Sequence, residues 1–390
     1  MITNLRRLLV VRMLYWTHFV AAVLVPFLTD WGGLTLLQVF TLNAWFMFWN
    51  LVFEVPTGAI ADRFGRKWSI AVGTVVTAAG CLTYVSTPDF RVFLFGDVLM
   101  ALGNTLVSGA DEALGYDSLV AAGEEHRAPR WLAHLQAAQL IGIVVGALGG
   151  GVIASRWGLR APTALQAIPM LLAGVLATTL VEVEPRSGRR APIAYRALLL
   201  SGMRWLRAER NVQIVAGDMV LVGALTWTLV WLYQPLLERA GVPRTAFGLV
   251  AALLCLAQAT VLHRLEWLIG VIGGRARHLH GSAVVAGLAM VALAATTSPL
   301  VIVALLVVAM GLGHTRTPVA AAAINAGIDS RERATTLSTV SMLRTLSVCI
   351  VNPIAGLLAD RSLELAVGTL GVAVVAVGCL SPLRERHLAR

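Results

Sequence analysis

Charge is what this sequence has least of. Only 13% of its 390 residues are Asp, Glu, Lys or Arg, where soluble chains carry about a quarter. Lysine is nearly missing: Lys67 is the sole example, and every other basic side chain apart from histidine is arginine. With 57% hydrophobic residues and a mean hydropathy of +0.77, this shortage excludes a water-soluble globule and makes lipid the solvent. Cysteine is scarce too. Cys81, Cys255, Cys349 and Cys379 all fall in apolar runs, so neither a disulfide framework nor a metal site is expected. There is no Gly-x-x-x-x-Gly-Lys-Ser/Thr phosphate loop, which argues against ATP as the energy source. His-Glu-x-x-His and Gly-x-Ser-x-Gly are missing as well, so no enzyme and no cofactor is expected.

What the chain has in abundance is long apolar runs. A helix needs ~20 such residues to cross a bilayer, and twelve runs qualify as spans one to twelve: 8–28, 36–60, 68–86, 91–113, 133–154, 162–181, 212–234, 246–262, 281–297, 299–324, 336–358 and 364–382. The first has no small-residue cleavage site and reads as a retained span. With the N-terminus inside, 23 basic residues fall on the cytoplasmic side and six on the other, while Arg316 and Arg344 lie inside spans. This bias places both termini in the cytoplasm of a protein of the cell membrane. Topology thereby accounts for the net charge of +10, and no nucleic-acid partner is needed.

The longest polar interruption, 182–210, divides the spans six and six, giving bundles over 1–181 and 211–390. Within it, 191–207 reads as an amphipathic helix. Tyr195, Leu198, Leu199 and Trp205 suit a membrane surface, and Arg196, Arg204 and Arg207 suit phosphate headgroups. A linker helix packed on the protein fits the same residues equally well.

The densest charge cluster of the first hundred residues is Gly58-Ala-Ile-Ala-Asp62-Arg63-Phe-Gly65-Arg66-Lys67, between spans two and three. An acid followed by three bases is costly between membrane helices unless it meets water and a partner. The pattern recurs at the end of span five as Gly151-Val-Ile-Ala-Ser-Arg-Trp-Gly-Leu-Arg, and at the end of span eleven as Gly356-Leu-Leu-Ala-Asp-Arg. Spans two and five run in opposite directions, as a three-plus-three inverted repeat predicts. Span eight shows no clear copy.

The 58–67 stretch resembles the signature loop of the major facilitator superfamily, G-x-L-a-D-r-x-G-r-k, with Ile60 for leucine. The resemblance extends over the chain through span number, orientation and central linker. It implies an all-α membrane protein of twelve transmembrane helices in two six-helix bundles with inverted three-helix repeats. It also implies a conformational latch: Asp62 facing the start of a span-eleven segment, and Arg66 or Arg63 pairing with Asp117. Gly58, Gly65 and Lys67 complete the loop. A folding and topology role alone is the plainer alternative.

Span five reads Gly142-Ile-Val-Val-Gly146-Ala147-Leu-Gly149-Gly150-Gly151. It is similar to the antiporter motif G-x-x-x-G-P-x-x-G-G of drug–proton exchangers, but Ala147 stands in place of proline. Gly142, Gly146 and Gly150 also form a close-packing stripe that any helix bundle can use. In span four, counting back from Asp117, the basic residue of the family's motif falls at Asp97.

Asp97, Asn104, Ser108 and Asp111 are seven, four and three apart and share a helical face, with Glu112 beside them. A mid-membrane charge costs about 2.5–3.5 kcal/mol, so such residues face a cavity or a partner. Burial favours the neutral form of a carboxylate, which suits acids on a proton path. Asp97, with Asp111 or Glu112, is expected on such a path; structural pairing of Asp111, Glu112 and Asp117 with loop arginines is the alternative. Span two carries Asn43, Met47, Asn50 and Glu54 on a second stripe, beside Trp45 and Trp49. Glu54 precedes Pro56 in an E-x-P-T-G-x-x-A-D stretch like that of some bacterial facilitators, and both proton binding and structural pairing are open to it. The C-terminal half adds Asp218, Trp227, His314, Arg316 and Arg344. Either arginine could pair with Asp218 or contact an anionic substrate.

The expected function is a monomeric secondary transporter of alternating access that exchanges protons for small amphipathic molecules, drugs or secondary metabolites, and exports them. The alternative is proton-coupled or facilitated uptake of a small metabolite, with an arginine holding its anionic group.

Overall fold

The structure is a computed structural model; it describes residues 2–183, 210–326 and 333–388. The expected surface helix at 191–207 therefore lies outside the described residues. The described part is helical, with no strand.

Among the described residues, ten helices are long and apolar enough to cross a membrane. They cover Leu36–Phe64, Phe90–Ala121, Glu125–Trp157, Arg160–Thr178, Arg210–Arg239, Arg244–His263, Arg275–Ala295, Pro299–Ile324, Ser338–Arg361 and Leu363–Leu380. These are span two and spans four to twelve. Span three is the 19-residue helix Arg66–Tyr84. Span one is broken: helix Ile2–Tyr15 gives way to a 3₁₀ turn at Phe19–Ala22, and a π-helical turn at Phe27–Trp31 closes it. The multi-pass, all-α, twelve-span reading stands. The short helix Leu265–Ile272 between spans eight and nine went unforeseen.

The chain forms two compact units. One comprises Met1–Leu34, Trp45–Pro192 and Pro243–Ala252, the other Thr35–Ala44, Ile193–Val242 and Leu253–Arg390. Each thus takes in ten residues that the polar interruption would assign to the other half. Glycine explains both exchanges. A Cβ on Gly356 of span eleven would lie 2.8 Å from Leu37 Cα and 2.9 Å from Phe40 Cβ, and one on Gly248 of span eight would strike the Ala147 carbonyl. Small residues let backbones approach where lipid supplies no hydrophobic drive between helices.

The first unit's core joins Leu8 and Val11 of span one, Ile70 and Ala78 of span three, Leu114 of span four, Leu135 of span five and Ala173 of span six. The second gathers Val215 and Met219 of span seven, Ile269, Leu279 of span nine, Val319 and Ala323 of span ten, and Val340 of span eleven. Here too spans meet through glycine: on Gly287 of span nine a Cβ would sit 2.7 Å from the Gly371 carbonyl of span twelve.

Candidate functional site

The charged loop is a one-residue joint. Span two runs to Phe64, Gly65 takes φ +100°, and span three starts at Arg66. That φ is in the region glycine tolerates and other residues avoid. Arg66 pairs with Asp117 at the end of span four, and its Nη2 lies 4.0 Å from Asp62 Oδ1. The expected Arg66–Asp117 contact is therefore made within one unit. Asp62 is otherwise exposed, and the segment 327–332 ahead of span eleven is outside the described residues. Arg63 and Lys67 lie over the rings of Phe64 and Trp68, at 5.4 and 5.1 Å.

A partner of this joint went unread in the sequence. Glu182, just past span six, accepts the backbone N–H groups of both Arg66 and Lys67 at 2.9 Å. It satisfies two of the orphan donors at a helix start, where negative charge is favoured. The second unit repeats the device: Gly274 precedes span nine, and Glu385, just past span twelve, accepts from Ala276 N–H at 2.7 Å. The signal lay in the sequence as a Gly-Arg pair before each span and an acid just after the sixth and twelfth.

Above the joint, a cavity of about 450 Å³ opens in the first unit. Asn50, Glu54 and Thr57 of span two face Asn104, Thr105 and Ser108 of span four across it, and Asp62 and Arg66 stand at its loop end. The two polar stripes of the sequence thus meet. Asn104 Nδ2 donates to Asn50 Oδ1 at 2.7 Å, and Tyr15 Oη of span one to Asn104 Oδ1 at 3.4 Å. Thr57 Oγ1 donates to the Thr105 carbonyl at 3.2 Å. Pro56 lies inside the helix and has no N–H for the carbonyl four residues back. The Glu54 carboxylate has neither ion pair nor hydrogen bond among the described residues. Trp45, Phe48, Trp49 and Phe53 form a continuous aromatic array, with Trp49 and Phe53 stacked at 4.9 Å. Trp45 is fixed by donating from Nε1 to the Leu94 carbonyl at 3.1 Å.

Span four does not present its acids as one face. It breaks at Ser108 and at Gly109, which has φ +80°, and a new helix starts at Ala110. Asp97 is buried against span three, accepting from Tyr84 Oη at 2.6 Å, and its Oδ2 has no partner among the described residues. Phe93 packs edge-on against Tyr84 at 5.0 Å. Asp97 does not line the cavity. Asp111, 1% exposed, accepts from Arg12 Nη1 of span one at 2.6 Å. Arg12 also donates to Gln139 Oε1 of span five and lies 3.7 Å from Glu112 Oε1. Arg12, in the first apolar run, is buried inside the bundle.

In the second unit Arg316 is 1% exposed and pairs with Asp218 of span seven, the simpler of the two sequence readings. Its Nη1 also donates to the Leu279 carbonyl and, at 3.3 Å, to Ser282. Arg344 is different: it is exposed and has no ion pair among the described residues. His314 bonds the Met310 carbonyl at 2.8 Å. Asn43 accepts from Asn352 Nδ2 at 2.6 Å and from Trp227 Nε1 at 3.4 Å, so these three form a polar node of this unit, outside the Glu54 cavity.

Gly142, Gly146 and Gly150 all face span one where it is broken. A Cβ there would strike the Met13 carbonyl, the His18 backbone and the Phe19 carbonyl respectively. Ala147, at the place of the antiporter motif's proline, is buried.

A family model described as Major Facilitator Superfamily matches residues 8–352. No curated protein matches the sequence. Among solved structures, the nucleoside transporter NupG (D323A mutant) superposes with a TM-score of 0.83 at 12% identity, covering 100% of this chain and 99% of its own. A bacterial homolog of the human lysosomal transporter Spinster gives 0.76 at 15% identity, with 98% and 95% covered. The POT family transporter PepTSo gives 0.73 at 13%, with 99% and 98% covered. At such identities these likenesses speak for the fold.

Proposed function

Because the chain belongs to the Major Facilitator Superfamily, and is thus a transporter and a multi-pass membrane protein, we propose that it exports small amphipathic compounds in exchange for protons, with Glu54 as the group that carries the proton. It works as a monomer of two six-span bundles, 1–181 and 211–390, joined by 182–210. The charged loop and both termini lie on the cytoplasmic side of the cell membrane, as the arginine bias supports. The single observation behind the coupling role is that Glu54 stands on the wall of a polar cavity with no partner among the described residues. Asp111 and Asp218 already hold arginines. A carboxylate free of such a partner can exchange its proton for a cationic or hydrogen-bonding substrate at little structural cost. The aromatic array from Trp45 to Phe53 next to it supports cargo with apolar surface. Asp97, beneath Tyr84, serves as a second proton-holding group away from the cavity wall. Asp62, Arg63, Arg66, Lys67 and Asp117 act as the latch between alternating states.

A second reading has its own support. The Asn50–Asn104 amide pair on the cavity wall is suited to reading hydroxyl and amide groups, and NupG is described as a nucleoside transporter. Proton-driven uptake of a polar metabolite would use the same Glu54. An anionic cargo would call on Arg344, since Arg316 is paired. Proteoliposomes under an imposed pH gradient, offered lipophilic cations, neutral drugs, nucleosides and organic anions, separate the readings. Export reads as gradient-driven movement against the proton flux, uptake as movement with it. Transport of every responsive compound at a rate indifferent to the gradient would sink both.

A further inference from the structure

A second cavity lies in the first unit, at the loop end of spans one, four and five, and shares no residue with the Glu54 cavity. It measures about 270 Å³. Arg6, Arg127, Arg130 and His134 line it, with Glu124 as its only acid. Glu124 is taken by Arg127, whose Nη1 lies 2.7 Å away. Arg6, Arg130 and His134 are exposed and have no ion pair among the described residues.

The floor is of another kind. Leu5, Leu9 and Trp131 supply apolar surface, and Trp131 is held against Gly115, where a Cβ would strike its ring. Trp131 is 6% exposed, and its indole Nε1 is buried without an acceptor among the described residues.

The local helix makes the arrangement costly. Arg127 caps and Arg130 opens the helix Ala128–Trp157, whose first turn holds no acid. Cations at a helix start oppose its dipole. Three guanidinium groups, a histidine and an apolar floor within one concavity are complementary to one kind of ligand.

We propose that this cavity binds a phosphate-bearing anion, its oxygens on Arg6 and Arg130 and any acyl chain along Leu5, Leu9 and Trp131. A phospholipid headgroup from the surrounding membrane and a soluble phosphate share this chemistry. Guanidinium forks match phosphate oxygens, and basic pockets between spans near the membrane surface take lipid headgroups.

The test uses the purified full-length protein in neutral detergent, titrated separately with short-chain phosphatidic acid, short-chain phosphatidylcholine and inorganic phosphate, with the thermal unfolding midpoint as readout. Phosphatidic acid is expected to raise the midpoint saturably, phosphatidylcholine to leave it in place, and R6Q/R130Q to weaken the response about tenfold or more at two lost cations. Both side chains are exposed and Arg130 opposes the helix dipole, so the unliganded midpoint of R6Q/R130Q should equal the parent's or lie slightly above it. E124Q, which releases Arg127, is expected to tighten binding. Inorganic phosphate acting at the same concentration as phosphatidic acid makes the ligand soluble; acting only far above it makes the ligand a lipid. The proposal is overturned if no phosphate compound moves the midpoint, if phosphatidylcholine acts as well as phosphatidic acid, or if R6Q/R130Q titrates like the parent.

Discussion

Among the described residues, each unit buries one arginine–aspartate pair between its first and fourth spans, but with the signs exchanged. In the first unit the arginine is on span one and the acid on span four, Arg12 with Asp111. In the second the acid is on span seven and the arginine on span ten, Asp218 with Arg316. Both fourth spans break just before the pair, at Gly109 and at Thr315, so the charged residue opens a new helical segment. There the likeness ends. Asp111 sits in the first turn of its segment, where a negative charge is favoured, whereas Arg316 sits at a helix start, where a positive one is not. Arg12 has reserves in Gln139 and Glu112. For Arg316, Asp218 is the sole acid among the described residues, and its Nε has no acceptor there. The same architectural pair thus has a second acid beside its arginine in one unit, and only the neutral acceptors Leu279 and Ser282 in the other.

The largest effect should come from breaking the second unit's pair. D218A leaves a buried guanidinium uncompensated, at a cost of about 3–5 kcal/mol, read as loss of folded protein and a lower unfolding midpoint in detergent. D111N should cost less, about 1–3 kcal/mol, because Gln139 and Glu112 stay on Arg12. Equal losses would dissolve the contrast.

Next come the glycines. G150A forces a methyl onto the Phe19 carbonyl of span one, and overpacking of this kind costs about 1–3 kcal/mol. A Cβ on Gly58 in the family loop would meet nothing within 4 Å, so G58A should stabilise the helix by roughly 0.5–1 kcal/mol. If G58A keeps its midpoint but transports more slowly, the bare helix face is needed at another stage of the cycle; unchanged transport would remove Gly58 from the latch. The smallest effects are expected from E182Q and E385Q, each weakening a charged cap on one helix start by about 0.3–1 kcal/mol. E182Q should cost the more of the two, since Glu182 accepts two backbone N–H groups and Glu385 one; a larger loss in E385Q would mean the number of capped groups does not set the effect.

What was legible in the sequence is what short range dictates. Apolar runs long enough to cross lipid gave the spans, because nothing else satisfies twenty consecutive backbone groups there. The 58–67 cluster located the joint and, through the family, the partner Asp117. The stripes Asn50–Glu54 and Asn104–Ser108 pointed to the wall of one cavity, since helical spacing keeps such residues on one side. Partnerships across the bundle were not legible. Nothing near Arg12 announces Asp111, 99 residues away, and nothing near Asp97 announces Tyr84. The breaks at Gly109 and Thr315 were hidden too, because a run can stay apolar while its helix is interrupted. Those breaks decide which acids face a partner and which face a cavity.

Glu54 is the counterpart of both paired acids, an ionisable group in the first unit left without a guanidinium among the described residues. The most direct measurement compares parent and E54Q in proteoliposomes, for a compound the parent moves against a pH gradient. With the glutamine, gradient-driven accumulation should vanish while exchange at equal pH on both sides persists, and the unfolding midpoint should stay within about 0.5 kcal/mol of the parent's stability. Accumulation by E54Q at the parent's rate would contradict the role of Glu54 and return the coupling proton to Asp97.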